Sequence, residues 1–236
     1  MYPMFGGYGL YILISLPALL LGLYAQAKVK SAFNKYSKVR SYTGLSGADV
    51  ARHMLDTNGL QDVQIEQTSG MLSDHYDPRS RTLRLSQGVY QSNSIAAAGV
   101  AAHEAGHAVQ HKDHYLPLQF RSFMVPTVQI GSWLGPIIFM LGLVLSNSNF
   151  GYNMAVFGLL LFSATAVFAI VTLPVELNAT ARAKEWLSTS GVISMSDRQG
   201  VDKVLDAAAL TYVAGAIQAL STLLYYAFLL FGRRRR

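Results

Sequence analysis

The sequence predicts a mostly α-helical membrane protein, with about four transmembrane helices and a water-facing domain built from an alanine-rich helix and a small β-ribbon. Three observations lead there. Of 236 residues, 51% are hydrophobic and only 14% charged, against roughly a quarter charged in an ordinary soluble domain. The apolar residues collect in four blocks of about twenty, the length that crosses a hydrocarbon core of roughly 30 Å as a helix. Between the blocks lie polar stretches whose periodicity changes from helical to strand-like. The apolar content also excludes a disordered chain. Cysteine is absent, which removes a disulfide scaffold, a thiol nucleophile and every thiolate zinc finger, and leaves six histidines as the metal-binding stock. The net charge is +6, but no nucleic-acid recognition motif accompanies it. Four of the positive charges are Arg233 to Arg236 and others flank apolar blocks, where basic residues act as topological anchors, so no nucleic-acid partner is expected.

Taken in order, residues 1–27 read as an N-terminal anchor around the apolar block Tyr8 to Ala25. No basic residue precedes this block and no A-x-A cleavage site is evident, so a retained helix is expected rather than a signal peptide. Residues 28–123 form the larger water-facing domain. Within it, Ala48, Val50, Ala51, Met54 and Leu55 give a short amphipathic helix that Asn58-Gly59 stops. Val63 to Glu66 and Thr82 to Ser86 alternate at period two, with a turn at Asp77-Pro78-Arg79-Ser80 between them, which predicts the β-ribbon. Asn93 or Ser94 then caps an alanine-rich helix running to about Gln110. Residues 124–174 are a transmembrane hairpin of Val125 to Leu145 and Tyr152 to Leu173, joined by the polar turn Ser146 to Gly151. Residues 175–206 form a second water-facing piece in which a new helix begins, and 207–236 hold the last apolar block, Ala207 to Phe231, and the basic tail. Gln218 and the Ser and Thr residues of that block suit a helix packed against others.

Charge sets the expected topology. Lys28, Lys30, Lys35, Lys38 and Arg40 follow the first block, Arg121 precedes the second, and Arg182 and Lys184 follow the third. Basic residues near crossings are retained on the cytoplasmic side, so both water-facing pieces of a multi-pass protein are expected there. Four full crossings would leave Arg233 to Arg236 on the other side. Either the last block stops short or the earlier charges outweigh the tail.

His103-Glu104-Ala105-Gly106-His107 is an H-E-x-x-H sequence inside the alanine-rich helix, and its spacing sets both imidazoles on one face, one turn apart, able to meet one ion. In such an arrangement Zn²⁺ lowers the pKa of a water to near neutrality, and the glutamate takes the water's proton and later delivers it to the leaving amine. Gly106 and the flanking alanines leave room. The domain is therefore expected to be zincin-like, with Glu104 as catalytic base and one zinc per chain.

A catalytic zinc takes three protein ligands and an open position. His111 continues the same face but lies about 12 Å along the axis from His103, too far to share the ion, and reads as a solvated helix residue. Asp113 stands where the metzincin pattern would place a histidine. The expected third ligand is Glu176, in Leu173 to Arg182, because a carboxylate beside an apolar block needs a positive partner. The competing reading is a glutamate favoured at a helix N-terminus by the dipole. Glu185 is the fallback, and Glu66 reads as a surface residue. Asn178 and Arg182 are candidates for orienting a ligand, though polar residues at a membrane exit need no such role. In Asp74 to Pro78, His75 or Tyr76 are candidates for steadying an oxyanion, against the plainer reading of a turn. The ribbon's edge is also able to accept an extended peptide as an added strand.

With these residues placed, the chain resembles the YugP family of bacterial membrane zinc metallopeptidases over nearly its whole length, including Lys35 to Arg40 and Ala207 to Tyr212. That family is similar to the membrane gluzincins, among them the heat-shock protease HtpX group. The resemblance implies His103, His107 and Glu176 as zinc ligands and Glu104 as base. The expected function is a membrane-anchored zinc endopeptidase acting on membrane or membrane-proximal proteins or peptides, in contact with the lipid bilayer. Membrane-protein partners or a second copy of the chain are left open. The alternative is a membrane scaffold or chaperone-like protein with a structural zinc, although an intact Glu104 argues for hydrolysis, since binding alone needs no base. An intramembrane active site is not expected, because the apolar run Ile95 to Ala102 is only eight residues long and polar residues follow it.

Overall fold

The structure is a computed structural model that describes residues 5–70 and 72–232; the arginine tail 233–236 invoked in the topology lies outside the described residues. In chain order the elements are α1 (Phe5–Tyr36), α2 (Gly47–Thr57), β1 (Gln64–Thr68), β2 (His75–Asp77), β3 (Thr82–Ser86), α3 (Gln87–Tyr90), α4 (Ile95–Lys112), α5 (Leu116–Val144), α6 (Asn149–Thr189) and α7 (Met195–Gly232). Helices α1, α5, α6 and α7 are each long and apolar enough to cross a membrane, and α4 is not among them. The chain divides into two compact units. One comprises Met1–Tyr24, Phe120–Leu173 and Tyr212–Arg236, and the other Ala25–Gln119 and Pro174–Thr211.

In the first unit the apolar side chains point outward. Leu13, Trp133, Val144, Phe150 and Leu160 are all largely exposed, the reverse of a soluble domain and the pattern a hydrocarbon solvent demands. Its interior centres on Phe139, Leu143, Ala155, Leu159 and Leu230, with the Phe139 and Tyr226 rings stacked at 4.5 Å. The helices are longer than the apolar blocks. At 41 residues, α6 is roughly 60 Å long, about twice the hydrocarbon thickness, so only part of it can lie in lipid.

The second unit has an ordinary core, in which α2, α3, α4 and the sheet bury Val50, Met54, Leu55, Leu83, Leu85 and Val89 with the alanines of α4, joined by Leu187, Val201 and Leu205. Helix α2 starts at a capping box in which the Ser46 hydroxyl accepts from the Asp49 amide and the Asp49 carboxylate accepts from the Ser46 amide, which satisfies two otherwise orphan donors. It ends as expected at Asn58 and Gly59, the latter at φ +69°, a left-handed position that glycine occupies without cost. Ser94 caps α4 by accepting from the Ala97 amide. Along α4, from Ile95 to Gln110, only Val100 and Glu104 escape full burial. Small side chains make that possible: Gly99 packs on Val201 and Leu205.

Three features differ from the sequence expectation. The ribbon is a three-stranded mixed sheet: β3 lies between β1 and β2, antiparallel to β2 and parallel to β1. Asp77-Pro78 thus turns the chain from β2 into β3, with the Asp77 carboxylate accepting from the Arg79 amide and the Ser80 hydroxyl. Helix α1 continues past Ala25 to Tyr36, because Phe33 and Tyr36 pack on the second unit's core. No new helix begins at residue 175. Helix α6 runs unbroken through Pro174. Proline removes one helical hydrogen bond, but Val175, Ala179, Ala183 and Leu187 are all buried, and their four-residue spacing makes a continuous apolar stripe that holds the helix together.

Candidate metal centre

The spacing of the H-E-x-x-H sequence acts as expected. His103 and His107 lie on one face of α4 with ring centroids 4.9 Å apart, edge to face. Glu176 reaches them from α6, its Oε2 3.2 Å from His103 Nε2 and 3.5 Å from His107 Nε2. Offering one ligand atom each, the three gather within 4.8 Å. All three are buried, Glu176 to 1% exposure. Its place deep inside α6 disposes of the alternative in which a helix N-terminus holds the carboxylate.

The distances bear on what the cluster can hold. A tetrahedral ion with bonds of about 2.05 Å sets its ligands about 3.3 Å from one another, close to both separations found here. Two imidazoles and one carboxylate are also a donor set that catalytic zinc uses, and three protein ligands leave a fourth position open. Burial, the strongest single influence, opposes a proton on His107. The Glu176 carboxylate, the charge of Glu104 and the Gln110 oxygen together outweigh it, so the His107 pKa stands above the usual histidine value. A positive charge is favoured at that spot, and a divalent cation competes for it with the proton.

Each imidazole turns its other nitrogen to a polar partner. His103 Nδ1 lies 3.2 Å from Thr180 Oγ1, and His107 Nδ1 lies 3.0 Å from Gln110 Oε1. The sequence reading missed both Thr180 and Gln110. The available signal was spacing, since Gln110 stands one turn after His107 and Thr180 one turn after Glu176. Gln110 Nε2 donates to the Val175 carbonyl at 2.8 Å and to Asn178 Oδ1 at 2.9 Å. Arg182 Nε donates to the same Asn178 oxygen at 2.9 Å, and its Nη1 to Asp113 at 2.6 Å. Asn178 and Arg182 are thus joined to His107 through Gln110.

Glu104 is half-buried between the histidines in sequence and is not one of the three clustered residues. Glu185 is exposed. His75 is exposed on β2, its Nδ1 2.8 Å from the Ser73 carbonyl. The Tyr76 hydroxyl lies 3.0 Å from His111 Nδ1, so His111 is half-buried and partnered rather than simply solvated. Neither His75 nor Tyr76 belongs to the clustered three. The run Asp74 to Asp77 does carry a structural tie, because the Asp74 carboxylate accepts from the Ser86 amide and hydroxyl.

Four helices long and apolar enough to cross a membrane, with a buried cluster of two histidines and one glutamate that could hold a metal ion, are the features of a membrane-type protein with a candidate metal site. Residues 11–231 match the family described as "Putative neutral zinc metallopeptidase", and the chain belongs to that family. It is 45% identical over 225 residues to the "Putative membrane protease YugP" of Bacillus subtilis (strain 168), an alignment covering 95% of this chain and 98% of that protein. The resemblance drawn from the motifs is borne out. No solved structure matches the chain.

Proposed function

We propose that the protein is a membrane-anchored zinc endopeptidase that cuts membrane or membrane-proximal proteins, with one zinc per chain held by His103, His107 and Glu176 and with Glu104 as general base. The observation that carries this reading is the meeting of Glu176 with the two Nε2 atoms of α4. When bound, zinc supplies Lewis acidity, polarising the scissile carbonyl and making water nucleophilic at neutral pH. The three buried ligands are fixed by their own packing. Glu104, less buried and outside the clustered three, takes a proton from the attacking water and returns it to the amide nitrogen as the C–N bond breaks and the new C–O bond forms. Three protein ligands rather than four favour this over a structural zinc, whose sites are closed.

The gluzincin assignment follows from the carboxylate third ligand. The basic residues from Lys28 to Arg40, with Arg121, Arg182 and Lys184, support a cytoplasmic site. The test is Glu104→Gln in the full chain purified in detergent, followed by bound zinc and by cleavage of an unfolded fluorogenic casein. Zinc is expected to stay at one per chain while cleavage falls by about 10²–10⁴-fold. Unchanged cleavage overturns the role of Glu104, and wild-type protein that binds zinc without cleaving favours the scaffold.

A further inference from the structure

We propose that Gln110 is a positioning residue that dictates which nitrogen of His107 carries the proton, and that Arg182 sets its direction through Asn178. The inference rests on the zinc reading only in that His107 binds through Nε2.

A guanidinium donates hydrogen bonds and accepts none. Arg182 is fixed by Asp113 at 2.6 Å and donates from Nε to the side-chain oxygen of Asn178 at 2.9 Å. Asn178 must therefore present its oxygen, not its NH₂, on that side. Gln110 meets the same oxygen at 2.9 Å and the Val175 carbonyl at 2.8 Å. Both partners are acceptors, so the group between them is the Gln110 NH₂, and both of its protons are used. What remains of the amide is Oε1, 3.0 Å from His107 Nδ1. An acceptor facing Nδ1 requires N–H there, and a neutral imidazole has only one N–H. The proton that a metal displaces is therefore the one on Nε2, whose lone pair then lies on the side of Glu176, 3.5 Å away.

The amide cannot turn over without cost. Gln110 is completely buried, and a flip would bring three oxygens together while aiming NH₂ at His107. His103 provides the contrast. Its Nδ1 faces the Thr180 hydroxyl at 3.2 Å, a group that donates or accepts equally well and imposes no direction. One histidine is thus held by an adaptable partner and the other by a chain of fixed polarity. The same chain bridges α4, which bears Gln110, to α6, which bears Val175, Asn178, Arg182 and the carboxylate ligand. Outer partners of this kind commonly govern metal affinity.

The experiment measures zinc affinity of the full chain in detergent by competition with a chromophoric chelator, for wild type, Gln110→Met, Asn178→Leu and Asn178→Asp. Aspartate offers oxygens only, so it preserves the polarity that leucine abolishes. Gln110→Met and Asn178→Leu are expected to weaken zinc binding about 10–100-fold, and Asn178→Asp to stay within about threefold of wild type. In zinc-loaded protein labelled with ¹⁵N-histidine, a hydrogen-bonded, slowly exchanging Nδ1–H of His107 is expected in wild type and Asn178→Asp and absent in Gln110→Met. A role in packing alone would not separate the aspartate from the leucine variant. Wild-type affinity in Gln110→Met, or an aspartate variant as weak as the leucine one, overturns the inference while leaving the zinc reading intact. Wild-type protein without zinc overturns both. If Gln110→Met fails to fold, the pair at Asn178 decides alone.

Discussion

Gly106 and Ala179 meet backbone to backbone: a Cβ placed on Gly106 would stand 2.9 Å from the Ala179 carbonyl oxygen. Gly106 precedes the candidate ligand His107, and Ala179 follows Glu176 by three residues. The approach of α4 to α6 that closes the cluster therefore depends on a residue with no side chain.

Gly106→Val is expected to force the two helices apart at this point, because the opposing atoms are backbone and cannot swing away. The overpacking penalty is about 1–3 kcal/mol, and it falls on the separation between His107 and Glu176. Zinc affinity should drop together with the unfolding midpoint. A valine variant that keeps wild-type zinc affinity would show that the close approach is incidental.

Glu176→Gln tests the carboxylate separately from its shape. The amide has nearly the same volume but no charge, so loss of zinc in this variant is a loss of ligand chemistry. Affinity is expected to fall by more than the roughly 10–100-fold typical of an outer partner. In wild type, zinc at a thousand times its Kd should add about 4 kcal/mol of stability. Chelation with EDTA should reverse that gain and shift Glu176→Gln by far less. Calorimetric scans with and without EDTA check both, and a glutamine variant that still holds stoichiometric zinc after dialysis rejects Glu176 as ligand.

Much of this site was legible in the sequence, for reasons that differ by residue. His103 and His107 are set by the period of a helix that Ser94 starts, and both are local facts. Glu176 was legible because a lone carboxylate beside an apolar block needs a cation. The parallel pairing of β1 with β3 was not, since period-two alternation says which face is buried and nothing about strand direction. The unbroken α6 was hidden by Pro174, a local breaker overruled by burial on the far side of the helix. Gln110 was missed because a glutamine near a helix end looks like surface. Only its partners on α6, 65 and 68 residues away in sequence, show it to be interior.

Acid should weaken the fold through His111. Burial, and then the positive charges of Arg81 and His114, lower its pKa below the ordinary 6.5. The unfolded chain binds this proton more readily than the folded one. The stabilising contribution is thus complete above about pH 6.5 and is lost as pH falls from there toward the folded pKa. In zinc-free protein, His111→Gln keeps an acceptor for the Tyr76 hydroxyl and removes the titration. Its unfolding midpoint should decline less than that of wild type between about pH 7 and pH 5. Parallel declines would assign the acid sensitivity to other groups.

The membrane hairpin has its own requirement for small residues. A Cβ on Gly142 would overlap the backbone nitrogen of Ala155, one on Gly158 the backbone nitrogen of Phe139, and one on Gly131 would lie 2.6 Å from the Leu161 carbonyl oxygen. Helices in lipid gain nothing from burying apolar surface against each other, so close backbone approach at small residues supplies the packing that holds them. Gly142→Ala should therefore lower the unfolding midpoint in detergent, with a penalty of about 1–3 kcal/mol. Gly215 on α7 is the control, since a Cβ there meets nothing within 4 Å. In an exposed helical position alanine is the better helix former by up to about 1 kcal/mol, so Gly215→Ala should be neutral or stabilising. Midpoints from intrinsic fluorescence for both variants decide the matter, and equal shifts of the same sign would reject close packing at Gly142 as the cause.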